Sequence, residues 1–380
     1  MTRSLAMLSL ALSLCAAARA DYVTRRGNVP GLDGEIKAID DNGITIRSAT
    51  GAEQTVTWDH IREVITTDPG LQRSIDEHRD SALNLWRARS RLERGDAGLA
   101  EPLFDRLFAK YRGHTHETAL IVAEGLLRCR LARAANDVAI IPALEVTRLR
   151  RKGIKTDAYS VLPAVMDDAT GLCTRLPPFW PPTSALARVE PELSAFDSGG
   201  DTVVAALATH YRIAAIRQSG RAAETPAAMA DEHVGVALMR LIVNASASES
   251  EQRAAARASI QKRLPELPDW AKAWAYYAIG DSLARESGDG QQERGVVSLA
   301  HLPASFMNQQ PYLTALALAR MCAMLTRLGD GAGAATLQAE FERQFPGHPA
   351  AAIIPSSGAQ ASLDPNPPPR RGVSVERYSC

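Results

Sequence analysis

The chain has 380 residues, with 43 Lys and Arg against 43 Asp and Glu, 46% hydrophobic side chains and only 5% aromatic ones. Neutrality removes the basic footprint that nucleic acid or an anionic membrane surface requires, and the hydrophobic content is that of a folded chain. With so few aromatics, alanine and leucine must fill the core, which suits closely packed helices.

Residues 1–20 carry Arg3, an apolar run from Leu5 to Leu14 and the small-x-small triplet Ala18-Arg19-Ala20. That three-part pattern predicts a secretory signal peptide removed before Asp21, and so an exported protein of the periplasm or cell envelope. A lipidated Cys15 is the competing reading, weakened by the bulky Leu14 just before it. The run is shorter than the roughly 20 residues of a helical span, so no membrane span is expected.

Residues 21–66 alternate with a period of two. Gly34-Glu35-Ile36-Lys37 and Ile44-Thr45-Ile46-Arg47 flank Asp40-Asp41-Asn42-Gly43, and Asn-Gly is a strong hairpin signal. A third run, Gln54 to Trp58, follows a turn at Thr50-Gly51-Ala52, and Asp59 to Val64 closes the segment. Four or five short strands are predicted. Their G-x-I…N-G-I-x-I rhythm resembles that of SH3-like and Sm-like small barrels, which implies a small β-barrel-like domain. The RNA-binding role of Sm-like proteins is not expected here, because Lys37, Arg47 and Arg62 alternate with acids and lack aromatic company.

From about Leu71 to 350 the period becomes helical. Leu83, Trp86 and Leu92 mark one stripe, and Leu99, Leu103, Phe104, Leu107 and Phe108 the next. Ala88, Gly95-Asp96, Ala100 and Phe104 stand at the same offsets as Cys322, Gly329-Asp330, Ala334 and Gln338, with Pro346 closing the second set. A small residue lets a second helix approach, Gly-Asp closes the turn, and the alanine packs back. This pattern resembles the tetratricopeptide repeat (TPR), which implies stacked helical hairpins around a concave protein-binding surface. Departures are Gln338 at an aromatic position and the lack of a proline after the first unit. Between these ends, 117–132 with 138–150, 202–217 with 231–244, and 270–286 with 296–302 read as further pairs. Ser248-Glu249-Ser250-Glu251 reads as a capping box ahead of another helix at 254–264. The fold class expected is mainly α, a TPR-like helical-hairpin array preceded by the small β domain.

Residues 171–182 interrupt the array with four prolines around Phe179-Trp180. These aromatics either plug a seam between helical blocks or face a partner, and full burial would exclude the second. Trp270, Trp274, Tyr276 and Tyr277 pose the same choice on one helix, between core packing and a peptide groove. Phe179, Trp180, Trp270, Trp274 and Tyr277 are the candidate partner-binding residues. Beyond Pro355, residues 356–380 form a proline-rich polar tail predicted to be disordered, ending in Cys380.

Motifs for chemistry are sparse. His114-Thr115-His116 could donate two metal ligands, but no third is spaced to complete a site. Nucleophile-elbow, P-loop and dinucleotide-binding patterns are missing, and Gly199-Gly200-Asp201 reads as a turn and helix cap. Cys129 and Cys322 fall in apolar helical runs, while Cys173 is the best loop candidate for a disulfide. No catalytic residue, cofactor or metal is assigned. The function expected is a non-catalytic scaffold binding a protein or peptide partner. The alternatives are an exported hydrolase or metal-dependent enzyme whose site assembles only in three dimensions, and a structural component of an envelope complex.

Overall fold

The structure is a computed structural model that describes residues 21–181 and 184–355. The signal-peptide and tail readings, with Cys15, Pro182 and Cys380, lie outside the described residues. Five strands come first: β1 (Asp21–Arg25), β2 (Leu32–Ile39), β3 (Gly43–Arg47), β4 (Glu53–Thr57) and β5 (Ile61–Ile65). They form one antiparallel sheet in the order β4-β3-β2-β1-β5. β4 and β5 are its two edges and do not pair, so the sheet is open and the expected barrel is not closed. Alternation does the sorting. Ile44 and Ile46 point inward while Thr45 meets Thr55 across the strands at 2.9 Å between hydroxyls.

Twelve α-helices follow among the described residues: α1 (Pro69–Glu93), α2 (Ala97–Tyr111), α3 (Glu117–Ala132), α4 (Ile140–Arg151), α5 (Ser184–Ser194), α6 (Thr202–Gln218), α7 (Val234–Asn244), α8 (Ser250–Arg263), α9 (Asp269–Leu283), α10 (Asp289–His301), α11 (Pro311–Arg327) and α12 (Gly331–Gln344). Each packs on the next in the chain, except that α4 and α5 are separated by a long connector. Contacts also skip one helix, α1 to α3, α4 to α6, α7 to α9 and α9 to α11. Neighbour and next-neighbour packing is how stacked hairpins bury apolar faces that no pair could bury alone.

The two Gly-Asp turns have the same geometry. Gly95 and Gly329 have φ of +84° and +83°, and the amides of Asp96 and Asp330 each donate 2.9 Å bonds to the carbonyls of Arg91 and Leu325. This is a Schellman closure, which needs the left-handed residue that glycine supplies most easily. Ala88, Ala100, Phe104 and Cys322 are all essentially buried, as close helix approach requires. Two details differ from expectation. In α1 the buried stripe is Ala82, Leu85, Ala88 and Leu92, leaving Trp86 half-buried under the Arg26 guanidinium at 4.3 Å. Leu99 points outward at 61% exposure.

The sheet is fastened to the first helices by polar contacts. Asn42 at the hairpin tip accepts from the Thr118 amide at 3.0 Å through Oδ1, and its carbonyl accepts from Thr118 Oγ1 at 2.6 Å. Fully buried Asp59 pairs with Arg89 of α1, and the Trp58 ring stacks on His78 at 4.7 Å. The connector after α4 holds a two-residue ladder, β6 (Met166–Asp167) with β7 (Leu172–Cys173), so the proline-rich stretch begins in a short strand where none was expected. Beyond it, side chains satisfy the backbone carbonyls that proline keeps out of ladders. Asn136 Nδ2 donates to Arg175, Gln310 Nε2 to Thr174, and the hydroxyls of Tyr211 and Tyr312 to Leu176 and Phe179.

Candidate binding groove

Four of the five candidate partner-binding aromatics are core residues. Phe179 and Trp180 are each 2% exposed, Trp274 is fully buried and Tyr277 is 3% exposed. The Phe179 ring lies 4.6 Å from that of Tyr277, and Trp180 lies 6.2 Å from Tyr211. Their burial is a correction to the partner-facing reading: these rings plug the seam between α6, α9 and α11, and a partner docking on this conformation would not touch them. Trp270 alone is half-buried, edge-on to Trp274 at 5.0 Å.

The other candidate chemistry resolves into packing and capping. His116 Nδ1 accepts from the Ala119 amide at 3.2 Å, capping α3, while His114 lies 3.6 Å from Asp41 of the hairpin tip. Burial lowers the pKa of both His78 and His116, which favours their neutral forms. Among the described residues no three His, Cys, Asp or Glu side chains converge as metal ligands. Cys173 is 2% exposed and unbridged, not an accessible loop thiol, and burial pushes its pKa up to about 12. Asp201 caps α6 through the Val203 and Val204 amides, as the Gly-Gly-Asp turn suggested. The capping box at Ser248–Glu251 does not form: α8 has no side-chain cap, and the Ser250 hydroxyl donates instead to Glu286 at 2.6 Å.

A cavity of about 590 Å³ lies beside the end of α4 and the β6–β7 ladder, and most of its charges are paired within the fold, Lys155 being the exception among the described residues. Arg150 pairs with Asp168 at 3.0 Å, Arg151 with Asp201 at 2.7 Å, and Asp167 accepts from Thr170. More open chemistry surrounds Arg217, in the last turn of α6. A groove of about 770 Å³ runs between the irregular segment 222–228 and helices α7 and α8, lined by Leu241, Asn244, Gln252, Ala255 and Ser259. Arg217 forms its floor. Its Nε and Nη2 donate to the Ala223 carbonyl at 3.0 and 2.7 Å, Nη2 to Thr225 Oγ1 at 2.9 Å, and Nη1 to the Val243 carbonyl at 2.8 Å.

The far side of Arg217 opens into a niche of about 540 Å³ between the carboxyl ends of α6, α9 and α11. Arg285, Arg320 and Arg327 line it with Arg217, and Asp281 lies buried beneath. Burial alone would raise the Asp281 pKa, but Arg320 and Arg285 outweigh it and hold the group at about 2. Sequence reading missed this cluster because its members are far apart in the chain. The only trace is an arginine at or near the carboxyl end of each helix, which is also an ordinary capping choice. No protein-family model matches the chain, and no curated protein or solved structure is significantly similar to it.

Proposed function

We propose that this is an exported TPR-like scaffold that binds an extended segment of a protein or peptide partner in the groove along α7 and α8, with no bond made or broken. The observation that carries the reading is how the groove treats the chain itself. Residues 222–228 lie along it without regular secondary structure, and a nearly buried arginine grips their backbone carbonyl and hydroxyl. A surface of small residues with a few fixed donors holds extended backbone while asking little of its side chains. Ala255 and Ser259 are exposed, one turn apart on α8, and leave space above them.

The test is affinity purification of the mature chain from its own envelope fraction, beside a variant carrying Ala255→Tyr and Ser259→Tyr. Both substitutions fall on exposed positions and fill the groove without entering the core. A partner recovered by the parent is expected to bind the double variant at least tenfold more weakly in solution titration. Equal binding by the two forms, or a parent that recovers no partner and hydrolyses generic ester or phosphate substrates, would overturn the scaffold reading.

A further inference from the structure

The niche at the carboxyl ends of α6, α9 and α11 holds more positive charge than the fold neutralises. Arg285 and Arg320 share one carboxylate, Asp281. Glu286 also lines the niche, but its carboxylate is already shared by Arg253 and Arg257 behind it. Arg217 and Arg327 have no carboxylate within ion-pair distance among the described residues, and Arg217 is only 5% exposed with neutral oxygens as its partners. Four guanidinium charges are therefore left without a counterpart. Three helix carboxyl ends offset part of this, at about half a negative charge each, so a surplus of roughly two to three remains. A nearly buried cation with only dipoles around it is costly. Arg320 adds a second sign, since its Nε is buried with no acceptor among the described residues. An ordered water would satisfy that N–H but leave the charge standing.

We propose that this niche binds a dianionic oxyanion of the phosphate class, either inorganic phosphate or the phosphoryl group of a phosphomonoester. The guanidinium groups come from α6, α11 and the turn that follows α9, around one space. A planar carboxylate accepts paired donors in its own plane, whereas a tetrahedral dianion offers acceptors in every direction and matches the surplus charge. An adjoining cavity of about 290 Å³ shares Arg217, Gly220 and Arg285 with the niche, which leaves room for the organic part of an ester. Burial and the neighbouring Arg285 lower the pKa of Arg217, the direction a bound anion would reverse. This site does not rest on the peptide reading. The two meet at Arg217, and anion binding is measured with no peptide present.

Calorimetric titration of the mature chain at pH 8 and constant ionic strength tests it, with inorganic phosphate, phenyl phosphate and an unphosphorylated hexaglutamate peptide as probes. Saturable binding of phosphate or phenyl phosphate is expected, and the tighter of the two identifies the source. Arg327→Gln, at an exposed position outside every ion pair among the described residues, should weaken that binding about tenfold with an unchanged melting temperature. Arg285→Gln should weaken it by a similar factor. No saturation by either phosphate at 10 mM (roughly a hundredfold above a useful affinity), hexaglutamate binding in their place, or undiminished affinity in both variants would overturn the proposal. In the last case the arginines serve the helix ends alone.

Discussion

His348 shows how one side chain can set the pH range of the whole fold. Its ring sits among Tyr312, Phe341 and Phe345, with the nearest centroid 5.1 Å away, and is 9% exposed. Nδ1 accepts from the Ala350 amide at 3.1 Å and Nε2 is buried without an acceptor among the described residues, so the neutral ring is the one the site accommodates. Burial, with no carboxylate to oppose it, lowers the pKa from 6.5 to about 4. The unfolded chain therefore takes up a proton below pH 6.5 that the folded chain refuses until about pH 4. Stability is fully present above pH 6.5, falls as the pH drops towards 4, and loses on the order of 3 kcal/mol by linkage. His348→Asn keeps a side chain able to accept from the Ala350 amide and removes the titration. Urea unfolding at pH 7 and pH 4.5 should show a variant that is the weaker at pH 7 but loses about 2 to 3 kcal/mol less on acidification. Parallel losses in the two proteins would rule out His348 as the source.

Individual helices were the most legible elements, and their ends explain why. The Gly-Asp signature at Gly95 and Gly329 reports a backbone state, φ near +84°, that few other residues adopt, so sequence and geometry coincide there. An added Cβ at Gly95 would meet nothing within 4 Å. Gly95→Ala should therefore cost about 1 to 2 kcal/mol from left-handed strain alone, and Gly95→Asn about half as much, because asparagine tolerates that region. Denaturant midpoints measure both, and an alanine variant as stable as the parent would show that the turn relaxes to another conformation. Gly125 makes a contrast on the same scale. Its added Cβ would fall 2.3 Å from Phe104 Cζ and 2.5 Å from the Tyr159 hydroxyl, so its alanine variant should lose about 1 to 3 kcal/mol through overpacking. Elements without such end signals were less legible. α5 carries no such signal because Pro191 stands inside it, and in α1 the stripe expected at Leu83 and Trp86 lies one residue earlier, at Ala82 and Leu85, with Trp86 snorkelling out under Arg26, while Leu92 is buried as expected. Ser250 found a better partner in Glu286, a tertiary choice that no local pattern encodes.

At the scale of the whole molecule, the connector decides whether the array behaves as a row of independent units or as one body. A stack with only neighbour contacts unfolds locally, since each unit answers to the next. Here residues 174 to 180 join parts of the chain more than a hundred residues apart: Gln310 at the N-cap of α11 and Tyr312 within it bond to the carbonyls of Thr174 and Phe179, Tyr211 of α6 bonds to that of Leu176, and Tyr277 of α9 packs on Phe179. Long-range closures of this kind are invisible to periodicity, as are the arginines of the niche, because both depend on which helix ends the fold brings together. Phe179→Ala should cost about 3 to 5 kcal/mol, and Phe179→Leu roughly a third of that if the seam keeps its contacts. The informative readout is native-state hydrogen exchange of the leucine variant. Protection is expected to fall by a similar factor in α6, α9 and α11, because opening the seam frees all three together. A loss confined to the few amides around residue 179 would mean that the helices are held by their neighbours alone, and that the aromatic plug fills space without coupling the two halves of the array.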